Sequence, residues 1–331
     1  MKKVINAPQD VVSEMIQGMV LAYPDYLRKV DAADVIVRAK AKQGKVALIS
    51  GGGSGHEPSH AGFVGHGMLD AGVCGAVFTS PTPDAVFEAI KAVKTDAGVL
   101  LIIKNYTGDV MNFEMAMEMA EAEGIKVDKV VIDDDVAVQD STWTVGRRGI
   151  AGTVLLHKIA GAKAEEGADL AEVKAVAEKV IANVRSMGMA LTPCIIPEAG
   201  KPGFELGENE MEVGLGIHGE PGIRREAIKP ADAIVQELVD KILADMPLAS
   251  GDEVCLLVNG LGGTPLMELF IVNKKANAIL TDKGVKIFKT IVGEYMTAIE
   301  MAGFSVTVLK LDDELKQLLT AKADTPAYVT S

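Results

Sequence analysis

Two of the five histidines in this chain stand in glycine-rich punctuation that an ordinary core histidine does not need. The first closes the run Ile49-Ser50-Gly51-Gly52-Gly53-Ser54-Gly55-His56-Glu57-Pro58, where an apolar strand passes straight into consecutive glycines. Such a loop brings bare backbone N–H groups to the carboxyl end of a sheet, where oxygen-rich ligands bind. The second lies in Gly214-Leu215-Gly216-Ile217-His218-Gly219-Glu220-Pro221-Gly222. An exposed imidazole there, when neutral, has a ring nitrogen that can attack an electrophilic carbonyl. A third run, Lys104-Asn105-Tyr106-Thr107-Gly108-Asp109, leaves another apolar strand. Beside the glycine loop in a parallel sheet, Asp109 and His56 can face one small ligand as proton acceptor and hydroxyl-orienting group.

Each candidate has a plainer reading. The glycines can serve only a tight turn, Asp109 can cap the helix that starts near Val110, and Lys104 can be a solvated charge at a strand end. Lys104 is also a rival nucleophile, since an amine and a ketone give an imine and favour aldol-type chemistry. A nucleotide P-loop requires Lys and then Ser or Thr after its last glycine, but His56-Glu57 follows here. A dinucleotide fingerprint requires glycine where His56 stands, and Pro58 interrupts the helix that would follow. His60, His66 and His157 are read as structural. No acidic or thiol partner stands at ligand spacing from His56, His60 and His66, so no metal is expected on this chain.

The elements that must position these groups follow from periodicity. Val46 to Ser50, Val73 to Ser80, Val99 to Lys104 and Val127 to Ile132 read as strands, with helices at Asp84 to Lys94 and Val110 to Glu123, the alternation of βαβ units. Gly149 to Ala160 and Leu170 to Arg185 read as helical; in the latter, Leu170, Val173, Val176, Val180 and Val184 recur at three- and four-residue steps. Met187-Gly188 and the prolines at 193, 197 and 202 then break the pattern. The expectation is an α/β protein of two sheet-based domains with helices packed on the sheets, 1–186 carrying the glycine loop and Asp109 and 187–331 carrying His218. Strands are expected in the second half at Leu191 to Ile196, Met211 to Ile217, Val254 to Asn259 and Ser305 to Leu311. Helices are expected at Ala231 to Asp245, Pro265 to Asn277 and Asp312 to Leu319, with Asp312 as N-cap.

Composition sets the outer limits. With 331 residues, 48% hydrophobic and 24% charged, the chain can bury two substantial cores, and its 34 glycines and 4% aromatic content suit parallel sheets and tight turns. A net charge of -13 without a basic block argues against nucleic acid as a partner. Cys74, Cys194 and Cys255 each lie in an apolar run, which reads as buried thiols rather than disulfides. Met1 to Asp10 has no apolar signal core, and no run approaches the ~20 apolar residues of a membrane span, so a cytoplasmic location is expected.

Taken in order, GGGSGHEP at Gly51 to Pro58, NYTGD at Asn105 to Asp109, GIHGEPG at Gly216 to Gly222 and NGLGGTP at Asn259 to Pro265 resemble the dihydroxyacetone kinase family through essentially the whole chain. The closer resemblance is to the separate substrate-binding K subunit of bacterial kinases that draw phosphate from the phosphotransferase system. It implies that His218 forms a hemiaminal with the carbonyl carbon of dihydroxyacetone while His56 and Asp109 act on the hydroxyl to be phosphorylated. Gly53, Ser54, Gly55, Ser80 and Lys104 would complete the pocket. The resemblance further implies a homodimer with no cofactor of its own and a nucleotide-binding L subunit holding ADP or ATP with Mg²⁺, recharged by a phosphotransferase component. Single-chain relatives carry a nucleotide-binding domain after the K region, whereas this sequence ends at Ser331, about where that region ends. A paralogous sensor or coactivator that binds the ketone without phosphoryl transfer is the alternative. A stand-alone dehydrogenase or ATP kinase is disfavoured by the failed glycine patterns.

Overall fold

The apolar runs of the first half pair into one six-stranded sheet. The computed structural model describes residues 2–139 and 145–331. In chain order the first half comprises α1 (Val11–Ala22), β1 (Leu27–Lys29), β2 (Val35–Arg38), β3 (Ala47–Ser54), β4 (Ala71–Val77), α2 (Pro83–Val93), β5 (Val99–Lys104), α3 (Thr107–Ala122), β6 (Val127–Ile132), α4 (Gly152–Glu165) and α5 (Leu170–Asn183). The sheet order is β1-β2-β4-β3-β5-β6, and β4, β3, β5 and β6 run parallel. Strand β5, Val-Leu-Leu-Ile-Ile-Lys, is buried along its whole length, as a strand covered on both faces must be.

The second half comprises β7 (Val184–Ala190), β8 (Glu210–Val213), β9 (Arg224–Ala227), α6 (Ala231–Asp245), β10 (Glu253–Gly260), α7 (Leu266–Asp282), β11 (Lys286–Gly293), β12 (Gly303–Leu311), α8 (Asp313–Thr320), β13 (Ala323–Thr325) and β14 (Tyr328–Thr330). Its sheet order is β11-β10-β12-β7-β8-β9; only β10 and β11 pair in parallel, the other pairs being antiparallel. Strand β7 crosses the expected 186/187 boundary, so the second sheet begins at Val184. The helical valine spacing runs on through Val184 and conceals the change to extended chain. Leu191 to Ile196 is not a strand; it has one isolated bridge, from Ile195 to Pro202.

Alternate residues of each sheet face different cores. Val99, Leu101 and Ile103 pack outward on α2 and α3, through Val86, Ile90 and Phe113. Leu100 and Ile102 face inward, in one cluster with α4, α5, α8 and the inward residues Cys255, Leu257 and Leu309 of the second sheet. Val254, Leu256 and Val258 face α6 and α7 on the far side. The order is therefore helix, sheet, helix, sheet, helix, and the two sheets share the middle layer, to which each fully buried Leu or Ile contributes ~1.5–3 kcal/mol. Asp312 caps α8 by accepting the Leu315 N–H at 2.8 Å. Cys255 lies fully buried in the middle layer, where desolvation pushes its thiol up to about 12. Among the described residues no helix is long and apolar enough to cross a membrane.

Candidate active site

The glycines after Ile49 are not a free loop: they extend β3 through Ser54 and pair with β4. What they provide is close approach. A Cβ on Gly53 would lie 2.5 Å from Thr79 N and 2.6 Å from Phe78 Cα, and one on Gly75 would lie 2.1 Å from the Thr79 carbonyl. The segment 76–81 therefore folds down onto the strand ends, where Phe78 and Ser80 enter the site. Because the clash at Gly53 is with backbone, Gly53→Ala is expected to cost ~1–3 kcal/mol of stability, read by chemical denaturation.

Facing this sheet edge is the hairpin loop between β8 and β9. Gly214 and Gly219 take positive φ of 75° and 79°, and Ile223 N–H closes the loop on Val213 O at 2.8 Å. The punctuation around His218 thus builds a tight turn from the second sheet that delivers its ring to the first. The two halves enclose a cavity of about 700 Å³ lined by Gly53, Phe78, Ser80, Tyr106, Asp109 and His218 among others. His56, Ser54, Gly55 and Lys104 do not line it; they lie immediately behind.

His56 is fully buried, stacked on Phe78 with ring centroids 5.0 Å apart. Its Nδ1 lies 2.7 Å from the Thr297 carbonyl and its Nε2 2.9 Å from Nε2 of His218. On the other side of His218, Nδ1 lies 2.9 Å from Glu220 Oε1. A carbonyl and a carboxylate only accept, so both Nδ1 atoms carry protons, and the two Nε2 atoms face each other. Burial, then the charge of Lys104, then that of His218, hold His56 well below the ordinary imidazole range. Burial would raise the Glu220 carboxyl, but His218 and Arg148 outweigh it and hold the group down to about 2. Arg148 is itself fixed by Asp135, at 2.6 Å, and by the Gly214 carbonyl, at 2.7 Å.

Asp109 is the third residue of α3, not its cap; the capping position is Tyr106, whose side chain makes no capping bond. Its carboxylate therefore sits in the first turn, at the positive end of the helix. Asp109 is buried, and its Oδ1 has no hydrogen-bond partner among the described residues. Burial raises its pKa, against the opposing effects of the Lys104 charge and a hydrogen bond from Ser80. Lys104 is fully buried rather than solvated; its Nζ has no hydrogen-bond partner among the described residues, and desolvation lowers its pKa. Gly52 separates the two groups: a Cβ there would be 3.4 Å from Lys104 Nζ and 3.7 Å from Asp109 Oδ2.

Of the other sequence candidates, Ser54 donates to the Gly75 carbonyl at 2.7 Å, and Gly55, at φ 106°, takes a conformation that leaves room for the Phe78 ring. His60 and His157 pair with each other at 2.9 Å in the interior, and His66 is exposed near Glu165. His56, His60 and His66 thus lie in three different environments. Sequence reasoning missed Phe78, Tyr106, Thr297 and Glu220. Tyr106 meets the His218 ring edge-on at 4.5 Å. Only Glu220 had a signal, lying two residues beyond His218 in the same turn. Glu220→Gln keeps the volume but removes the charge opposite the imidazole, and the ketone capture at His218 that the resemblance implies is expected to weaken on the order of 10- to 100-fold, read by adduct occupancy against ketone concentration.

Comparison with known proteins gives the following. A family model described as the Dak1 domain matches residues 17–327. The chain is 55% identical over 329 residues to a Listeria innocua protein named PTS-dependent dihydroxyacetone kinase 1, dihydroxyacetone-binding subunit DhaK, across 99% of this chain and 100% of that one. It superposes on the crystal structure of the dihydroxyacetone kinase of C. freundii with a TM-score of 0.93 at 38% identity, over 99% of this chain and 60% of that longer one. It is also similar to the structure of a dihydroxyacetone kinase operon co-activator, with a TM-score of 0.90 and 37% identity, over 96% of this chain and 98% of the other.

Proposed function

Because this chain belongs to the Dak1 family of dihydroxyacetone kinases, we propose that it is the dihydroxyacetone-binding subunit of a kinase supplied by the phosphotransferase system, and that it holds its substrate covalently on His218. The observation that carries the reading is the fixed orientation of that ring: Nδ1–H is tied to Glu220, so Nε2, at the cavity, is the nitrogen left to react.

The steps follow from the tautomers. A proton shared by the two facing Nε2 atoms passes to His56, which frees the lone pair of His218 Nε2. That pair forms a bond to the keto carbon while the carbonyl π electrons move to oxygen, and His56 returns the proton to that oxygen. The product is a hemiaminal whose imidazolium charge is balanced by Glu220. A carbonyl is required, so glycerol is excluded by chemistry rather than by shape. Capture also fixes the terminal hydroxyl as an oriented nucleophile. Asp109, with a free carboxylate oxygen, accepts the hydroxyl proton as its oxygen attacks phosphorus, and Lys104 and Ser80 hold the surrounding charge. Reversal of the proton path at His56 breaks the carbon–nitrogen bond and releases dihydroxyacetone phosphate.

The phosphoryl donor comes from a separate nucleotide-binding L subunit carrying ADP or ATP with Mg²⁺, recharged by a phosphotransferase component. One observation favours a donor outside this chain: the sequence lacks a P-loop, since His56-Glu57 follows the glycines where Lys and then Ser or Thr would be needed. The reading includes a cytoplasmic homodimer.

A second reading, a sensor that captures the ketone for gene regulation, is favoured by the similarity to the operon co-activator. Intact-protein mass spectrometry separates the two. The chain is incubated with dihydroxyacetone and then with the charged L subunit. Loss of the adduct with appearance of dihydroxyacetone phosphate is the kinase outcome; an adduct that persists without product overturns it in favour of the sensor.

A further inference from the structure

The fourth glycine-containing run, Asn259-Gly260-Leu261-Gly262-Gly263-Thr264-Pro265, supplies no residue to the cavity wall, yet its first side chain is fully buried and fully engaged. Asn259 Oδ1 accepts the Tyr295 N–H at 3.0 Å and the Met296 N–H at 2.8 Å, and Nδ2 donates to the Met296 carbonyl at 2.8 Å and to Ser305 Oγ at 3.2 Å. Thr264 holds the other end of the same segment, donating to the Gly303 carbonyl at 2.7 Å and accepting its N–H at 2.8 Å.

Between these clamps, residues 297–299 run alongside 55–57. Ile299 N–H donates to Gly55 O at 2.8 Å, Thr297 N–H to His56 O at 3.3 Å, and Thr297 Oγ1 to Glu57 O at 2.8 Å. The carbonyl of Thr297 is left pointing at His56 Nδ1, 2.7 Å away. One side chain therefore fixes both sides of the residue that precedes the acceptor for the His56 ring. Removing it would leave two N–H groups and one carbonyl unsatisfied in the interior, and the segment would have to move to recover them.

We infer that Asn259 is a positioning residue for His56: it aims the Thr297 carbonyl that keeps the ring proton on Nδ1, and so keeps Nε2 available to pass a proton between His218 and the keto oxygen. The chemical consequence rests on the reading of His218 as the site of covalent capture; the tautomer does not. Which nitrogen of His56 is basic is thus decided from the second sheet, through the backbone of a loop that supplies no residue to the cavity wall.

The test has two arms. In a His218→Ala background, where no second imidazole faces His56, ¹⁵N spectra of the labelled histidines are expected to give the Nδ1–H form, and adding Asn259→Ala is expected to convert it to a mixture of tautomers. In the otherwise wild-type chain, Asn259→Ala is expected to slow adduct formation about tenfold or more. A folded Asn259→Ala protein with lowered thermal stability but an unmoved His56 tautomer and an unchanged capture rate overturns the inference. Should that variant fail to fold, Asn259→Asp, which keeps the acceptor for the Tyr295 and Met296 N–H groups and removes the donor to the Met296 carbonyl, is read in its place for the same tautomer shift and a smaller slowing. Its absence is equally contradictory. If the wild-type chain itself captures no ketone, the covalent reading fails; if it captures normally while the tautomer stays fixed, only the role of Asn259 fails.

Discussion

Replacing His218 with alanine is expected to abolish the mass increment of one bound dihydroxyacetone and to lower turnover with the charged partner by ~10³-fold or more. The size follows from what the bond does. A short polyol in a cavity of about 700 Å³ has many orientations, and hydrogen bonds alone distinguish it poorly from water. A covalent anchor converts an encounter into a fixed geometry, and effective molarities of well-oriented groups are large enough to account for the whole loss. Intact mass spectrometry and a coupled assay read the two effects separately. An adduct surviving in the alanine variant would move the nucleophile elsewhere, and Lys104, buried behind the cavity with no hydrogen-bond partner among the described residues, would be the first alternative.

The second large effect is at Asp109. Asp109→Asn preserves shape and removes the proton acceptor, so the hemiaminal is expected to form at its normal extent while turnover falls by ~10²–10⁴-fold. This split distinguishes Asp109 from His56, whose Nε2 faces the attacking ring rather than the hydroxyl. Loss of adduct in Asp109→Asn would place the carboxylate in capture instead. The pH dependence follows the same geometry. Burial raises the Asp109 pKa, so its basic form is lost at a higher pH than that of an exposed carboxylate, and turnover is expected to decline on acidification before capture does.

Much of this was legible in the sequence, for identifiable reasons. Strand β5 announced itself because a strand buried on both faces has no polar positions, and β3 because its apolar half is followed by glycines. The purpose of those glycines was not legible. Nothing local to Gly51, Gly53 or Gly75 indicates that backbone from Val73, Thr79 and Phe78 occupies the space of their missing side chains. Strand β7 was hidden by valines that continue a helical period into extended chain. The mostly antiparallel pairing of the second sheet was hidden because pairing direction depends on connections that the pattern of apolar residues does not encode.

At the site, His56, Asp109 and His218 could be singled out by punctuation and then meet in space, although 162 positions separate the two histidines. The groups packed around them were harder to find. Thr297 acts through its carbonyl, which every residue has, so its identity carries no signal. Tyr106 and Phe78 pack against the His218 ring in T-shaped contacts, and a lone aromatic in a glycine-rich segment is ordinarily core. Glu220 alone was exposed to inspection, and its role depends on a turn tight enough to fold the carboxylate back onto both the ring and the N–H of His218.

The most direct measurement is the ¹³C resonance of dihydroxyacetone labelled at its central carbon, bound to protein carrying ¹⁵N in histidine rings or in lysine amines. The account predicts a tetrahedral carbon scalar-coupled to a single histidine nitrogen, lost in His218→Ala. A carbon that remains a free ketone on the bound protein, or an imine carbon coupled to a lysine nitrogen, would contradict it.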